Sequence, residues 1–131
     1  MEQYPLSFGR INIVGENVVE VIINESIVVS LEMVEELEIF LSNTFKTKFG
    51  LLINKVNSYT YSYEAKLSFG TLELIKAIAV INYSKDCEMV TTEIMETRKV
   101  DNLNIRSFSA LDLGYHHAII WLKNQLTMNS I

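Results

Sequence analysis

The residues best suited to chemistry sit in one polar stretch, Asn57-Ser58-Tyr59-Thr60-Tyr61-Ser62-Tyr63. Its alternating phenols offer rigid apolar area with a hydroxyl at the tip, the side-chain chemistry of partner surfaces. The expected binding loop is therefore Asn57, Ser58, Tyr59, Tyr61, Ser62 and Tyr63. Ser58 and Ser62 could each accept a phosphate, which a helix N-terminus stabilises through its free amides and dipole. The plainer roles are ordinary capping for Ser62 and cover for the sheet edge for one or two of the tyrosines.

The other reactive side chains form no constellation. His116 and His117 are the only histidines. Helix neighbours point about 100° apart, so this pair cannot chelate one ion, and no metal is expected. Cys87, the single cysteine, lacks a histidine partner and falls on an apolar helix face, where a thiol behaves as core. Glu32, Glu35, Glu36 and Glu38 spread around a helix as a solvated face. Phe69-Gly70-Thr71 has one glycine without phosphate-loop spacing. No acid/base or nucleophile/base pair is present, so neither an enzyme nor a cofactor is expected.

The elements that must position the loop follow from hydropathy. Phe8–Val14 and Val18–Ile23 read as an antiparallel hairpin around Gly15-Glu16-Asn17, and Ile27–Val29 as a possible strand extension. Ser30 caps a helix from Leu31 to about Lys46, with Val34, Leu37, Leu41 and Phe45 on one face. Leu51, Leu52 and Ile53 are consecutive and apolar, as in a strand covered on both faces, so strand three is Gly50–Val56. Ser62 opens a short helix to Phe69, with Ala65, Leu67 and Phe69 partly buried and Leu72–Ile75 as a further turn. Lys76–Tyr83 is a central parallel strand.

Ser84 or Asp86 caps a third helix carrying Cys87, Val90, Ile94 and Thr97 on one face. After a polar loop, Val100–Asn104, Ile105–Phe108 is an edge strand. Ser109-x-x-Asp112 reads as a capping box for a last helix reaching about Leu126. Trp121 should be largely buried there beside Ala118 and Leu122, and residues 1–6 and 127–131 should fray. The order β-β-α-β-α-β-α-β-α predicts an α/β fold: one domain over 1–131, with a mixed, mostly parallel five-stranded sheet and about four helices.

A formal charge of −5 argues against nucleic acid as a partner, since phosphate binding needs a basic patch. No stretch approaches the ~20 apolar residues that span a bilayer, and Met1–Arg10 has no signal-peptide pattern. A cytoplasmic protein without integral membrane association is expected.

The hairpin Phe8–Ile23, the strand Leu51–Val56 with its polar loop, the strand Ala77–Tyr83, and the ending Phe108, Ala118, Trp121-Leu122 together resemble the STAS domain family. They are most similar to its SpoIIAA-like (anti-sigma factor antagonist-like) group of small proteins. The resemblance implies a non-catalytic regulatory domain that binds a protein partner or self-associates. It also implies phosphorylation of a serine in an Asp-Ser-Gly-type loop, a position that Ser58 or Ser62 would fill. The aspartate and glycine are absent here, so the loop is expected to be an exposed binding edge rather than a phosphosite. A related resemblance, to lipid-binding CRAL/TRIO domains, implies an alternative. In it a lipid or small apolar ligand lies in a pocket beside residues 57–63, in keeping with a mean hydropathy of +0.19.

Overall fold

The computed structural model describes residues 2–128; of the ends expected to fray, Met1 and residues 129–131 lie outside that range. The strands are β1 (Glu2–Leu6), β2 (Gly9–Ile13), β3 (Val18–Ile23), β4 (Val28–Val29), β5 (Phe49–Lys55), β6 (Thr60–Tyr61), β7 (Ile75–Asn82) and β8 (Ile105–Ser109). The helices are α1 (Leu31–Thr44), α2 (Tyr63–Ser68), α3 (Lys85–Thr97) and α4 (Gly114–Thr127). The main sheet runs β1-β2-β3-β5-β7-β8. Its first three strands are antiparallel neighbours, and β3, β5, β7 and β8 are parallel.

The sheet thus has six strands, not five, because residues 2–6 pair instead of fraying. The Tyr4 ring packs at a tilt against Phe40 of α1, 5.2 Å between ring centroids, which ties β1 down. Pro5 lacks an N–H, and an edge strand tolerates that. The second departure is a separate parallel pair, β4 with β6, aligning Val28 with Thr60 and Val29 with Tyr61.

The central register follows the expected one: Leu51 faces Ile78, Ile53 faces Val80, and Ile81 faces Phe108. Alternation along the strands separates two cores. Val19, Val21, Leu51, Ile53, Ile78 and Val80 pack with α1, α2 and α3 through Val34, Leu37, Leu41, Ala65 and Ile94. Val18, Leu52, Ala77, Ala79 and Ile81 pack under Ala118 and Leu122 of α4.

Ser30, Ser62 and Ser84 cap α1, α2 and α3 as expected, each accepting from the backbone N–H three residues on. Ser109 does not cap α4. It caps a single 3-10 turn, Ala110–Asp112, and α4 starts at Gly114 without a side-chain cap. Leu72–Ile75 adds no further helical turn: Gly70, at φ 78°, turns the chain out of α2, and β7 begins at Ile75. Trp121 is half-buried, 5.9 Å from the Phe108 ring, because Ala118 and Leu122 occupy the seam and position 121 falls on its flank. Leu67 is exposed, since the short α2 turns only Ala65 inward.

Arg98 is buried after α3 and donates to the Lys66 and Phe69 carbonyls at the end of α2, while its Nε pairs with Asp101. It satisfies helix-end carbonyls that α2 leaves open. Arg98→Met should destabilise by about 1–3 kcal/mol, the cost of orphaning such a buried acceptor. Urea unfolding would read this as a lower midpoint at unchanged slope.

Candidate functional site

β5 is buried over all seven residues, and its last residue is a lysine. Lys55 is 2% exposed. It shares the parity of Leu51 and Ile53, so its stem continues their row on the face covered by α1–α3. Beyond it the chain doubles back, and Tyr59 and the β6 residue Tyr61 lie over the ammonium. Nζ stands 4.6 Å from the Tyr59 ring centroid and 5.8 Å from that of Tyr61. These are cation–π distances. Nζ has no hydrogen-bond partner.

The surroundings are buried, and their polar groups are largely committed to one another. Cys87, in the first turn of α3, is buried, and its thiol points at the Lys55 carbonyl at 4.0 Å. Asn82, level with Lys55 on β7, is committed elsewhere: its amide donates to Ser107 Oγ at 2.6 Å and its carbonyl accepts from Thr91 Oγ1 at 2.9 Å. Tyr61 meets Tyr59 edge-on at 5.7 Å and Phe69 at 5.8 Å. Burial pulls the Lys55 ammonium below its usual pKa, with Cys87 opposing. Burial likewise drives Tyr59 well above the ordinary phenol value, and Tyr61 to about 12, the Tyr59 hydroxyl beside it pulling Tyr61 the other way.

The expected binding loop therefore divides. Tyr59 and Tyr61 are core residues at 4% and 8% exposure, not members of an exposed edge. Strand alternation is the cause: pairing of β6 with β4 turns both rings inward and leaves Thr60 outside. Tyr63 is exposed at 68% on α2. Ser58 is exposed, with its N–H on Glu25 and its carbonyl accepting from Ser26 N–H. Ser62 is half-buried and holds the α2 cap. Asn57 donates to the Ile23 carbonyl at 2.9 Å, pinning the loop to the end of β3. Sequence reasoning missed Lys55, although its signal was present: a lysine at inward parity on a covered strand, four residues before a Tyr-x-Tyr pair.

The remaining candidates resolve simply. His116 and His117 are both exposed, with rings 6.1 Å apart. Glu36 accepts from Ser7, and Glu38 accepts from Thr71. Five surface clefts are lined by residues outside 57–63. One of about 460 Å³ runs along Lys85, Met89 and Thr92 of α3, and another of about 290 Å³ is lined by Leu41, Phe45, Phe49, Leu72 and Leu74. Among the described residues, no helix is long and apolar enough to cross a membrane, and no cluster of three or more His, Cys, Asp or Glu could hold a metal.

A second unforeseen feature is the corner between β8 and α4. Leu111 and Leu113 are exposed at 89% and 70%. Leu113 has φ 59°, the left-handed region that disfavours a bulky side chain. The next position has room for glycine alone, since a Cβ on Gly114 would stand 2.3 Å from the Ser109 carbonyl oxygen. Val56 and Tyr83, following β5 and β7 at this same end of the sheet, are exposed as well. No protein-family model matches the chain, and searches of curated proteins and of solved structures return no match.

The shifts at Lys55 and the tyrosines set a pH profile. Between the lowered folded pKa of Lys55 and the unfolded value of about 10.5, the unfolded chain binds the extra proton, so stability rises with pH. The tyrosines act oppositely: the unfolded phenols ionise first, so stability falls as pH climbs past about 10 toward 12. Thermal unfolding across pH should show an alkaline maximum. Lys55→Met should erase the rising limb and raise Tm at neutral pH. A rising limb that survives in Lys55→Met would refute this assignment.

Proposed function

We propose that the chain is a non-catalytic, STAS-like protein-interaction domain that docks its partner, another protein or a second copy of itself, on the β8–α4 corner. The observation that carries this reading is the pair of exposed leucines, one of them held in a left-handed conformation. Glycine or asparagine would suit that backbone better. An exposed leucine there costs stability and returns nothing within the folded chain. Strain of this kind, of order 1–3 kcal/mol, persists where a binding surface makes use of it. The flanking Val56, Tyr83 and Tyr115 extend the apolar area, and aromatic side chains anchor interfaces.

The absence of any acid/base pair in the sequence agrees with a binding role, as does the resemblance to STAS domains. For the loop, Ser62's commitment to capping α2 favours a structural serine over a switch. The carrier reading gains nothing at its expected place, because Lys55, Tyr59 and Tyr61 fill the space beside the loop. A cytoplasmic setting fits the single buried thiol, since free cysteines persist in reducing compartments.

The double variant Leu111→Ser/Leu113→Asn separates binding from folding. It should unfold at the same temperature as the parent or a higher one, having shed strain. It should also lose the oligomer seen by light scattering, or the partner captured from the native extract. A parent that is strictly monomeric and captures nothing, or a variant that captures the same protein equally well, would refute the reading.

A further inference from the structure

The docking corner follows directly on β8, and β8 is one of the two edges of the main sheet. Those edges differ. β1 carries Pro5 and the charged Glu2, devices that blunt an edge against further pairing. β8 has no proline and no bulge in its ladder with β7. The Ile78 N–H bonds the Asn104 carbonyl, so residues 104, 106 and 108 turn their backbone groups to β7. Ile105, Ser107 and Ser109 turn theirs outward. The Ile105 N–H closes on the Leu103 carbonyl at 3.0 Å. The Ser107 N–H and C=O, the Ser109 N–H and the Ile105 C=O are left without a partner among the described residues. The Ser107 side chain is turned in, accepting from the Asn82 amide at 2.6 Å, so that only its backbone faces out.

These open groups match their own image. Antiparallel pairing of β8 with β8 of a second copy, with Ser107 on the two-fold axis, opposes Ser107 to Ser107 and Ile105 to Ser109. Both are hydrogen-bonded positions, so two donors and two acceptors on each copy close four bonds. Arg106 then lies opposite the partner's Phe108 in the close, non-hydrogen-bonded position, about 4.5 Å between Cα atoms. Both side chains stand on the α4 face, where Arg106 already covers the Phe108 ring of its own chain at 5.2 Å. A cation–π contact thus forms across the seam as well as within each strand. Moving the axis loses this match. Centred on Arg106, it sets guanidinium against guanidinium, and like charges directly opposite destabilise. Centred on Phe108, it leaves Ile105 and Arg106 past the end of the facing strand. The helices leave room for the pairing. α4 sits over Ala77, Ala79 and Ile81 of β7 and Leu52 of β5, inboard of the edge, and α3 is held over β5 and β7 through Cys87 and Thr91.

We propose that the partner docked at this end of the molecule is a second copy of the chain, paired antiparallel through β8 so that the two six-stranded sheets become one. This rests on the docking reading above and adds to it the partner and the bonds. The mode is strand addition, in which main-chain bonds supply affinity and alternate side chains fix the register. Any extended strand could use the open donors and acceptors; the match of each group to its own image, and of Arg106 to Phe108, selects the same chain. The pairing also brings the corner of each copy alongside the turn before β8 of the other, where Val100 is exposed at 87%. Leu111 and Leu113 find apolar cover there.

Light scattering of the parent across a dilution series should pass from twice the chain mass of 15.0 kDa to that mass itself. Amide exchange at the two ends of the series reads the seam. The Ser107 and Ser109 amides should exchange at least about tenfold more slowly in the dimer, while those of Arg106 and Phe108, which face β7, should be protected alike in both states. Ser107→Pro removes an outward donor, a loss that an edge strand accommodates. It takes two of the four bonds and should weaken dimerisation roughly tenfold to a hundredfold. Should Ser107→Pro fail to fold, the exchange pattern of the parent decides the matter. A monomeric parent, a dimer whose Ser107 and Ser109 amides exchange as fast as in the monomer, or a Ser107→Pro protein that dimerises as tightly as the parent would overturn the proposal. Docking at the corner would survive any of these results if Leu111→Ser/Leu113→Asn still abolished the dimer or the capture of a different protein.

Discussion

The burial of β5 from end to end is the constraint on which the rest of the molecule depends. With β3 on one side, β7 on the other and helices over both faces, no residue from Phe49 to Lys55 reaches solvent. Such a strand must be apolar along its length or must bring partners for whatever is polar. Two of its residues are polar, and they are answered in different ways. Asn54 donates to Glu20 on the α4 face, and Lys55 is roofed by tyrosines on the other. That cover comes from outside the main sheet, from Tyr59 and from Tyr61 of the β4–β6 pair.

Much of this architecture was legible in the chain. Three apolar residues in a row at Leu51–Ile53, and the small-and-branched run Ala77–Ile81, located the central strands and their adjacency. Three serines before amphipathic runs located three helix starts. What could not be read depended on contacts distant in sequence. Glu2–Leu6 pairs only because β2 is there to receive it and Phe40 of α1 meets Tyr4. Thr60–Tyr61 is a strand only because Val28–Val29 lies alongside. A two-residue strand has no period to detect. The tyrosines looked like surface because their neighbours are polar, and alternation hid them.

The β8–α4 corner escaped detection for a different reason. Ser109-x-x-Asp112 has the spacing of a capping box, and local pattern alone would start the helix there. The chain instead spends Ser109 on a 3-10 turn, puts Leu113 in the left-handed region and starts the helix at Gly114, where only glycine fits beside the Ser109 carbonyl. Packing against the sheet fixed the start of α4, and the local sequence bore the strain. Where local preference and observed conformation conflict, the conflict marks a place shaped by something other than stability.

The two buried polar clusters are answered by different means on the two faces of one strand. On the α4 face, the Glu20 carboxylate accepts from the Asn12 and Asn54 amides, at 2.8 Å each. Its charge is met on both oxygens, and the groups left over, the two amide carbonyls, are neutral. That arrangement knits β2, β3 and β5 together at a cost of the order of 1–3 kcal/mol for each unpaired acceptor. On the opposite face the leftover is an ammonium nitrogen, for which desolvation is far more expensive. The shared strand makes the contrast direct, since Asn54 and Lys55 are consecutive residues with the same neighbours in the sheet. The same backbone carries both, yet only one was given partners from within the chain. The other was given the faces of two tyrosine rings, which meet only part of what an ammonium loses on burial.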